Sequence, residues 1–450
     1  MLPRARSSSR TGHNQTGRGA SPFVFDSRPR SPAPSRRAKN QLPDVGVEYN
    51  LSARRPQRPE VMRRTYLDHA ATTPLAPEVL EAMRPYLTEH YGNASSVHQL
   101  GRRARVALEE AREQVAARLG AEPGEIVFTS GGTEADNLAL KGVLAAASTD
   151  GTPAGLVTGA AEHEAVLRPA ERLREAGHPV RILAPGPHGA VTPEQVEGAI
   201  DEQTALVSLM HTNNETGVQT DLPAIASVCD DNDVLLHADA VQAAGLYALD
   251  VDRLGVDLLS ISGHKFYGPK GVGALFVRAG VDLGPLVEGG SQERDRRGGT
   301  ENVPGVVGLA EALDRAVEGA EARREHLRTL QRRLVDGLDD AVPGPYVLNT
   351  PLDRAPVAPH VVNVAFPPVD DQPLDGEMLI LNLDMKGVLV SAGSACTSGA
   401  LEPSHVLSAL GLKRKTASAA VRFSLGQSTT EEDVDYALET LRSTLERMRP

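Results

Sequence analysis

The stretch LLSISGHKFYGPKGVGALFV closes an apolar, β-branched run with Ser262-Gly263-His264-Lys265 and then enters a glycine-rich turn. A lysine at a buried strand end is costly as a bare ammonium, and it escapes that cost through a lowered pKa or by forming an imine. Lys265 is therefore a Schiff-base candidate. In LLHADAVQ, Asp239 ends a second run of the same kind, where a carboxylate can pair with a protonated pyridine nitrogen. A lysine alone is more often an ordinary snorkelling side chain. The two residues together fit a pyridoxal 5'-phosphate site, in which the aspartate maintains the pyridinium that makes the ring an electron sink. The phosphate needs donors too. FTSGGTEADNLAL supplies a strand, a glycine turn and a helix start, so backbone N–H groups and Thr133 can meet an anion at a helix N-terminus. SGGT alone is no more than a turn and a cap, but Ser262 and His264 beside Lys265 favour the phosphate reading.

The two cysteines differ in context. Cys396 lies in SAGSACTSGALEPSHV, a small-residue stretch with the composition of an exposed loop, and reads as a nucleophile. Cys229, in the helical pattern LPAIASVCDD, reads as a small buried hydrophobe. Their 167-residue separation supports neither a disulfide framework nor a CxxC zinc site, so a reduced, cytoplasmic protein is expected. Histidines such as His69, His98 and His237 show no metal-ligand spacing, and no metal is expected.

These residues need a scaffold that places strand ends side by side. From Met62 onward, helix-period patterns alternate with short β-branched runs, which indicates an α/β domain around a mostly parallel sheet. Helices are expected over 77–89, 97–120 and 134–147. Strands are expected at EIVFTS, GLVTG, VRILA, ALVSLMH, VLLHADA, LLSISG and GALFV. Seven such runs make one large sheet whose strand ends bind ligands. One long amphipathic helix, about 306–337, should lead to a smaller αβ unit with strands in HVVNVAF, VLVSAG and AVRFSL. The expected division is 62–76 as the start of the small domain, 77–311 as the large cofactor domain, and 312–450 as the small domain carrying the cysteine loop.

The formal charge of -12 conceals two different polymers. Residues 1–61 carry 12 Lys/Arg against 4 Asp/Glu, and the remainder 35 against 55. The first segment is rich in Ser, Pro, Arg and Gly without an apolar face, and is expected to be disordered. Its prolines argue against an amphipathic transit helix, and it has no apolar core for a secretory signal. The plainest expectation is that translation begins at Met62. The absence of Trp, with 8 Tyr and 7 Phe, does not suggest base-stacking platforms, and no apolar run approaches a membrane span. Direct nucleic-acid or membrane binding is not expected.

The residues resemble the cysteine desulfurases of fold-type I pyridoxal-phosphate enzymes, of the NifS and IscS kind, over about 380 residues from Tyr66 onward. The segments that carry the resemblance, in order, are YLDHAATTP, GNASSVH, FTSGGTEADNLA, EHEAV, MHTNNETG, HADAVQ, SISGHKFYGPKG, GGTEN, SAGSACTSG and VRFSLG. The resemblance implies a large domain with a seven-stranded sheet and a smaller α/β domain. It implies that Lys265 holds the cofactor, Asp239 faces the pyridine nitrogen, Gln242 the phenolic oxygen, and His163 stacks on the ring. Asn214 would help orient the ring oxygen, while Gly132, Thr133, Ser262 and His264 would bind phosphate. Thr300 would reach the phosphate of a neighbouring subunit, which implies a homodimer. Arg422 and Asn93 would hold the substrate carboxylate.

The implied reaction turns L-cysteine into L-alanine and leaves the sulfur as a persulfide on Cys396. His163 would handle the thiol proton, and an iron–sulfur scaffold or tRNA-thiolation enzyme would accept the sulfur. Ala94 and Ser291 depart from the family pattern, both as small-for-small changes. Three rival readings are a selenocysteine lyase, which the long Cys396 loop disfavours, a fold-type I aminotransferase, which would leave that loop unexplained, and a non-catalytic sulfur-relay docking protein, which intact Lys265, Asp239 and Cys396 disfavour.

Overall fold

The computed structural model describes residues 63–148, 151–392 and 403–449. The N-terminal segment 1–62 and the loop around Cys396 lie outside the described residues. A seven-stranded sheet runs in the order 126–129, 273–277, 258–262, 235–239, 204–210, 155–159 and 180–183. All pairings are parallel except those of Gly273–Val277, which is antiparallel to both its neighbours. All seven expected runs form strands of this sheet. Side chains alternate between two apolar layers: Ile126, Phe128, Val207 and Ile261 enter one, and Val127, Leu206 and Leu258 the other. Burial on both faces explains why the strands read as continuous apolar runs.

Helix Gly132–Ala147 packs over the sheet and starts where strand Ile126–Thr129 ends. Its entry depends on glycine twice. Gly131 has φ +152°, and a Cβ on Gly132 would lie 2.6 Å from Val241 Cγ2. Helix Gln99–Leu119 begins where His98 Nδ1 accepts the Gly101 N–H, and ends at left-handed Gly120.

The single helix expected over 306–337 is two helices, Val303–Glu318 and Ala320–Asp336. Gly319, at φ -92° and ψ 3°, separates them. The first packs against helices Pro77–Thr88 and Gln99–Leu119, and the second against helix Glu431–Met448. The break therefore falls where the chain leaves one apolar core for another. That second core gathers Leu330, Leu334, Phe366, Leu379, Phe423 and Leu441 around a three-stranded sheet that includes Val361–Ala365 and Ala420–Ser424. Among the described residues of VLVSAG, Val388–Leu389 form a strand, paired in parallel with Thr65–Tyr66. The chain after Tyr66 then runs between this pair and Ser424: Leu67 N–H donates to Leu389 O, and Ser424 N–H to Leu67 O.

Candidate active site

Strand Leu235–Asp239 ends in Asp239, and its neighbour Leu258–Ser262 turns through Gly263–Lys265. The parallel pairing aligns Asp239 with Ser260. Asp239 is buried, and its Oδ1 accepts the Val241 N–H at 2.9 Å. Burial pushes its pKa up, while His163 and Lys265 draw it back. Lys265 Nζ donates to Ala70 O at 2.7 Å and Ala71 O at 3.0 Å. Burial, reinforced by the Arg422 charge, brings its pKa down to about 8. Burial at this strand end is met by a lowered pKa.

Beneath this pair lies a polar layer that the sequence reading missed. Ser208 Oγ meets His237 Nδ1 at 2.8 Å, and His237 Nε2 meets Ser260 Oγ at 3.0 Å, across three adjacent strands. Burial takes His237 down to about 3, so the ring is neutral. Asp136 covers the layer from helix Gly132–Ala147, with Oδ1 3.7 Å from His237 Nε2. Desolvation, with Asp239 close by, raises Asp136 well above the carboxylate range. Two neighbouring buried carboxyls cannot both ionise cheaply, so this one is held as the acid. The signal was present in the sequence. Asp136 lies one turn after Gly132, on a face otherwise made of Ala135, Ala139, Leu140 and Val143.

The facing wall comes from distant segments. Arg422, buried on strand Ala420–Ser424, donates through one terminal nitrogen to Asp68 Oδ1 at 3.0 Å and through the other to Asn214 O at 2.9 Å. Its Nε and the Asn214 Oδ1 are buried without partners among the described residues. The two asparagines of TNNETG divide the work. Asn213 Oδ1 accepts the Glu215 and Thr216 N–H groups, each at 2.9 Å, and so staples the turn. Asn214 is left to face the cavity. His163 caps helix Glu164–Glu175: its Nδ1 accepts the Ala165 N–H at 3.1 Å, so in the neutral ring the proton sits on Nε2. Burial lowers its pKa, which favours that neutral form. His405 Nε2 donates to Glu162 O at 2.8 Å, and Ser404 Oγ to Glu215 Oε2 at 2.5 Å. These bonds tie the start of helix His405–Ala409 to the same wall.

Between the walls lies a cavity of about 480 Å³. It brings together Gly132, Thr133, His163, Asn214, Asp239 and Gln242 with Ser262, His264, Lys265 and Arg422. Among the described residues, two that the sequence predicts for the site are not in its lining. Asn93 is exposed, its Oδ1 accepting the Ser95 N–H at 2.8 Å, and Thr300 is exposed on a separate loop. That loop is held by a buried bidentate pair, Arg112 to Glu293, and by Arg297 Nε to Glu134 Oε1 at 2.9 Å. Glu134 follows Thr133, so the Thr300 loop is tied to the start of helix Gly132–Ala147. Asp68, Ser391, Glu215 and His405 line the cavity unforeseen. Cys396 lies outside the described residues. Cys229 is buried in the large core, and burial pushes its thiol up to about 12. No group of three metal-ligating side chains occurs among the described residues.

The class-V aminotransferase family model matches residues 65–437. The cysteine desulfurase IscS of Dictyoglomus turgidum is 45% identical over 387 residues, covering 86% of this chain and 96% of that protein. The chain belongs to the cysteine desulfurases of the class-V aminotransferase family. A solved NifS-like protein superposes with a TM-score of 0.78 at 37% identity, covering 86% of this chain and all of that one. SspA, solved in complex with cysteine, superposes at 0.69 with 35% identity over 80% of this chain and 98% of its own. This family is dependent on pyridoxal phosphate, and the residues present in the desulfurase cavity fit that group. A buried carboxyl raised by desolvation at Asp239 suits a cationic ring nitrogen. A partly neutral lysine suits an aldehyde. Gly132 and Thr133 line the cavity at a helix start, where backbone N–H groups can meet a phosphate.

Proposed function

We propose that this desulfurase converts L-cysteine to L-alanine and takes the sulfur onto Cys396 as a persulfide, which a thiol-bearing acceptor then removes. The observation that carries the reading is the convergence of Lys265, Asp239 and Arg422 on one cavity in a chain of this family. When bound, pyridoxal phosphate supplies an electron sink next to the substrate's α-carbon. The chain does the rest. Asp239 keeps the sink charged, and Thr133, Ser262 and His264 hold its phosphate with the Gly132 backbone. Arg422, oriented by Asp68 and the Asn214 carbonyl, holds the substrate carboxylate with its guanidinium. Asn93, which lies outside the cavity lining, is assigned to the same carboxylate from the family resemblance alone.

Lys265, half neutral near pH 8, removes and returns the α-proton. His163 carries its exchangeable proton on Nε2 and serves the substrate thiol. The Cys396 thiolate attacks the substrate sulfur, the carbon–sulfur bond breaks, and the carbon regains a proton to give alanine. We further propose a homodimer in which Thr300 completes the partner's phosphate site, a cytoplasmic location, and sulfur delivery to iron–sulfur cluster assembly or tRNA thiolation. We place the large cofactor domain at 77–311, with 62–76 and 312–450 forming the small one.

The test is alanine and sulfide release from L-cysteine with excess thiol reductant and pyridoxal phosphate, comparing wild type with Cys396→Ala. Equal alanine and sulfide from wild type, with near-complete loss in the variant, is expected. Alanine release unchanged in Cys396→Ala would remove the persulfide step, and none from either protein would sink the desulfurase reading.

A further inference from the structure

A second, smaller cavity of about 30 Å³ lies behind Lys265, lined also by Gln242, His69, His360 and Arg323. Three buried polar atoms of these lining residues have no hydrogen-bond partner among the described residues: His69 Nδ1, His360 Nδ1 and Arg323 Nε. The two histidines are more than nine-tenths buried. A space of this size holds one or two waters, and a buried water ordinarily makes about three hydrogen bonds. This cavity joins the cofactor site through Gln242.

The direction of each hydrogen bond follows from one carbonyl. Ala70 O accepts Lys265 Nζ at 2.7 Å and stands 2.9 Å from the Gln242 amide. A carbonyl can only accept, so the Gln242 group facing it is the NH2. Gln242 Oε1 then faces His360 Nε2 at 3.2 Å, and an amide oxygen cannot donate. The imidazole proton must therefore sit on His360 Nε2, leaving Nδ1 as a buried lone-pair acceptor without a partner among the described residues. Burial, reinforced by the Arg422, His69 and Lys265 groups, takes His360 down to about 3, so the ring stays neutral and has one N–H to give. Arg323 anchors the far side through the Gly245 and Ala316 carbonyls, and its Nε–H is buried without a partner among the described residues.

We propose that His360 is a positioning residue that fixes the amide of Gln242, and that a water bridging His360 Nδ1, Arg323 Nε and His69 Nδ1 holds His360 in the required tautomer. The water donates to His360 and accepts from Arg323. Gln242 is thereby kept as a donor on its cavity side, the sense that an anionic ring oxygen requires; a flipped amide would present an acceptor to an anion. The inference rests on the cofactor reading for its consequence, while its hydrogen-bond chain stands without it.

Two experiments test it. In the cofactor-free protein, nitrogen-15 NMR of the imidazoles is expected to show His360 as the Nε2–H tautomer at neutral pH. An Nδ1–H tautomer or an imidazolium overturns the proposal, whatever the cofactor does. In the loaded protein, His360→Leu is expected to shift the visible absorption of the bound cofactor and weaken pyridoxal phosphate binding about five- to tenfold, the worth of one neutral hydrogen bond. His360→Gln, which returns a donor near the Nε2 position, is expected to restore both to within about twofold. Wild-type absorption and affinity in His360→Leu, or a Gln variant no better than Leu, reduces His360 to packing and overturns the positioning role. A crystal structure with no density between His360 Nδ1 and Arg323 Nε removes the water. Loss of covalent cofactor attachment in Lys265→Ala separately checks the cofactor reading, so the two failures are distinguishable.

Discussion

Asp239 and Lys265 occupy one wall of the cavity because two adjacent parallel strands end there, whereas Asp68 and Arg422, 354 residues apart in the chain, meet on the facing wall through a single side-chain pair. The first wall inherits its geometry from a sheet buried on both faces, so its side chains are placed by strand register. The second is assembled from the turn at 213–217, strand 420–424 and the run 66–73 threaded between two short pairings. A site that must hold a cofactor through many turnovers benefits from the stiff wall. A site that admits and releases an amino acid is better served by one whose parts belong to different layers.

The comparison breaks most readily on the sheet side. Lys265→Ala is expected to lower alanine formation by about 10²–10⁴-fold and to leave no borohydride-stable cofactor on the protein. A reducible, coloured Lys265→Ala protein would falsify the assignment. Next in size is a pH effect. Only the neutral amine attacks an aldehyde, and burial brings Lys265 down to about 8, so the neutral fraction grows as pH rises toward that value. Cofactor loading of the unloaded protein should therefore speed up by about tenfold per pH unit below 8 and level off above it. A rate still climbing at pH 10 would mean that Lys265 titrates as an ordinary lysine.

On the facing wall, Arg422→Ala is expected to raise the half-saturating cysteine concentration about 10- to 100-fold with a smaller change in kcat, which is the mark of lost ground-state binding. Arg422→Lys should recover only part of this, since an ammonium cannot hold Asp68, the Asn214 carbonyl and a carboxylate in one plane. Equal losses in kcat and in kcat/KM would instead assign Arg422 to the chemical step.

The two walls also differ in how far the sequence discloses them. The seven strands and the ends that carry Asp239 and Lys265 are legible because a parallel sheet imposes apolar runs on the residues and because ligands gather at its strand ends. The break at Gly319 is not, since a single glycine is tolerated inside a helical pattern and only the two separate cores make the chain turn there. Asp68 stands in YLDHAATTP, a segment conspicuous in the sequence. Its contribution, however, includes the Ala70 and Ala71 carbonyls, and backbone acceptors leave no side-chain signature. Glu215 and His360 look like ordinary surface polar residues until tertiary packing buries them.

The smallest effect sharpens the comparison furthest. Asp68 is placed by a single parallel bridge to Ser424 and not by a strand of the large sheet. Its carboxylate, about one-fifth exposed, holds one terminal nitrogen of Arg422 from a short segment. Asp68→Asn keeps the shape and one acceptor but removes the charge, so it is expected to raise the half-saturating cysteine concentration only about two- to tenfold. If Asp68 acts by orienting Arg422, the substitution should add nothing further in an Arg422→Ala background, because the group it orients is gone. If the two effects multiply instead, Asp68 meets the substrate on its own account, and the second wall contains two independent contacts rather than one braced arginine. A double-mutant cycle on cysteine affinity separates these outcomes, since residues that share one hydrogen bond fail additivity by an amount well outside its usual error of about 0.5 kcal/mol.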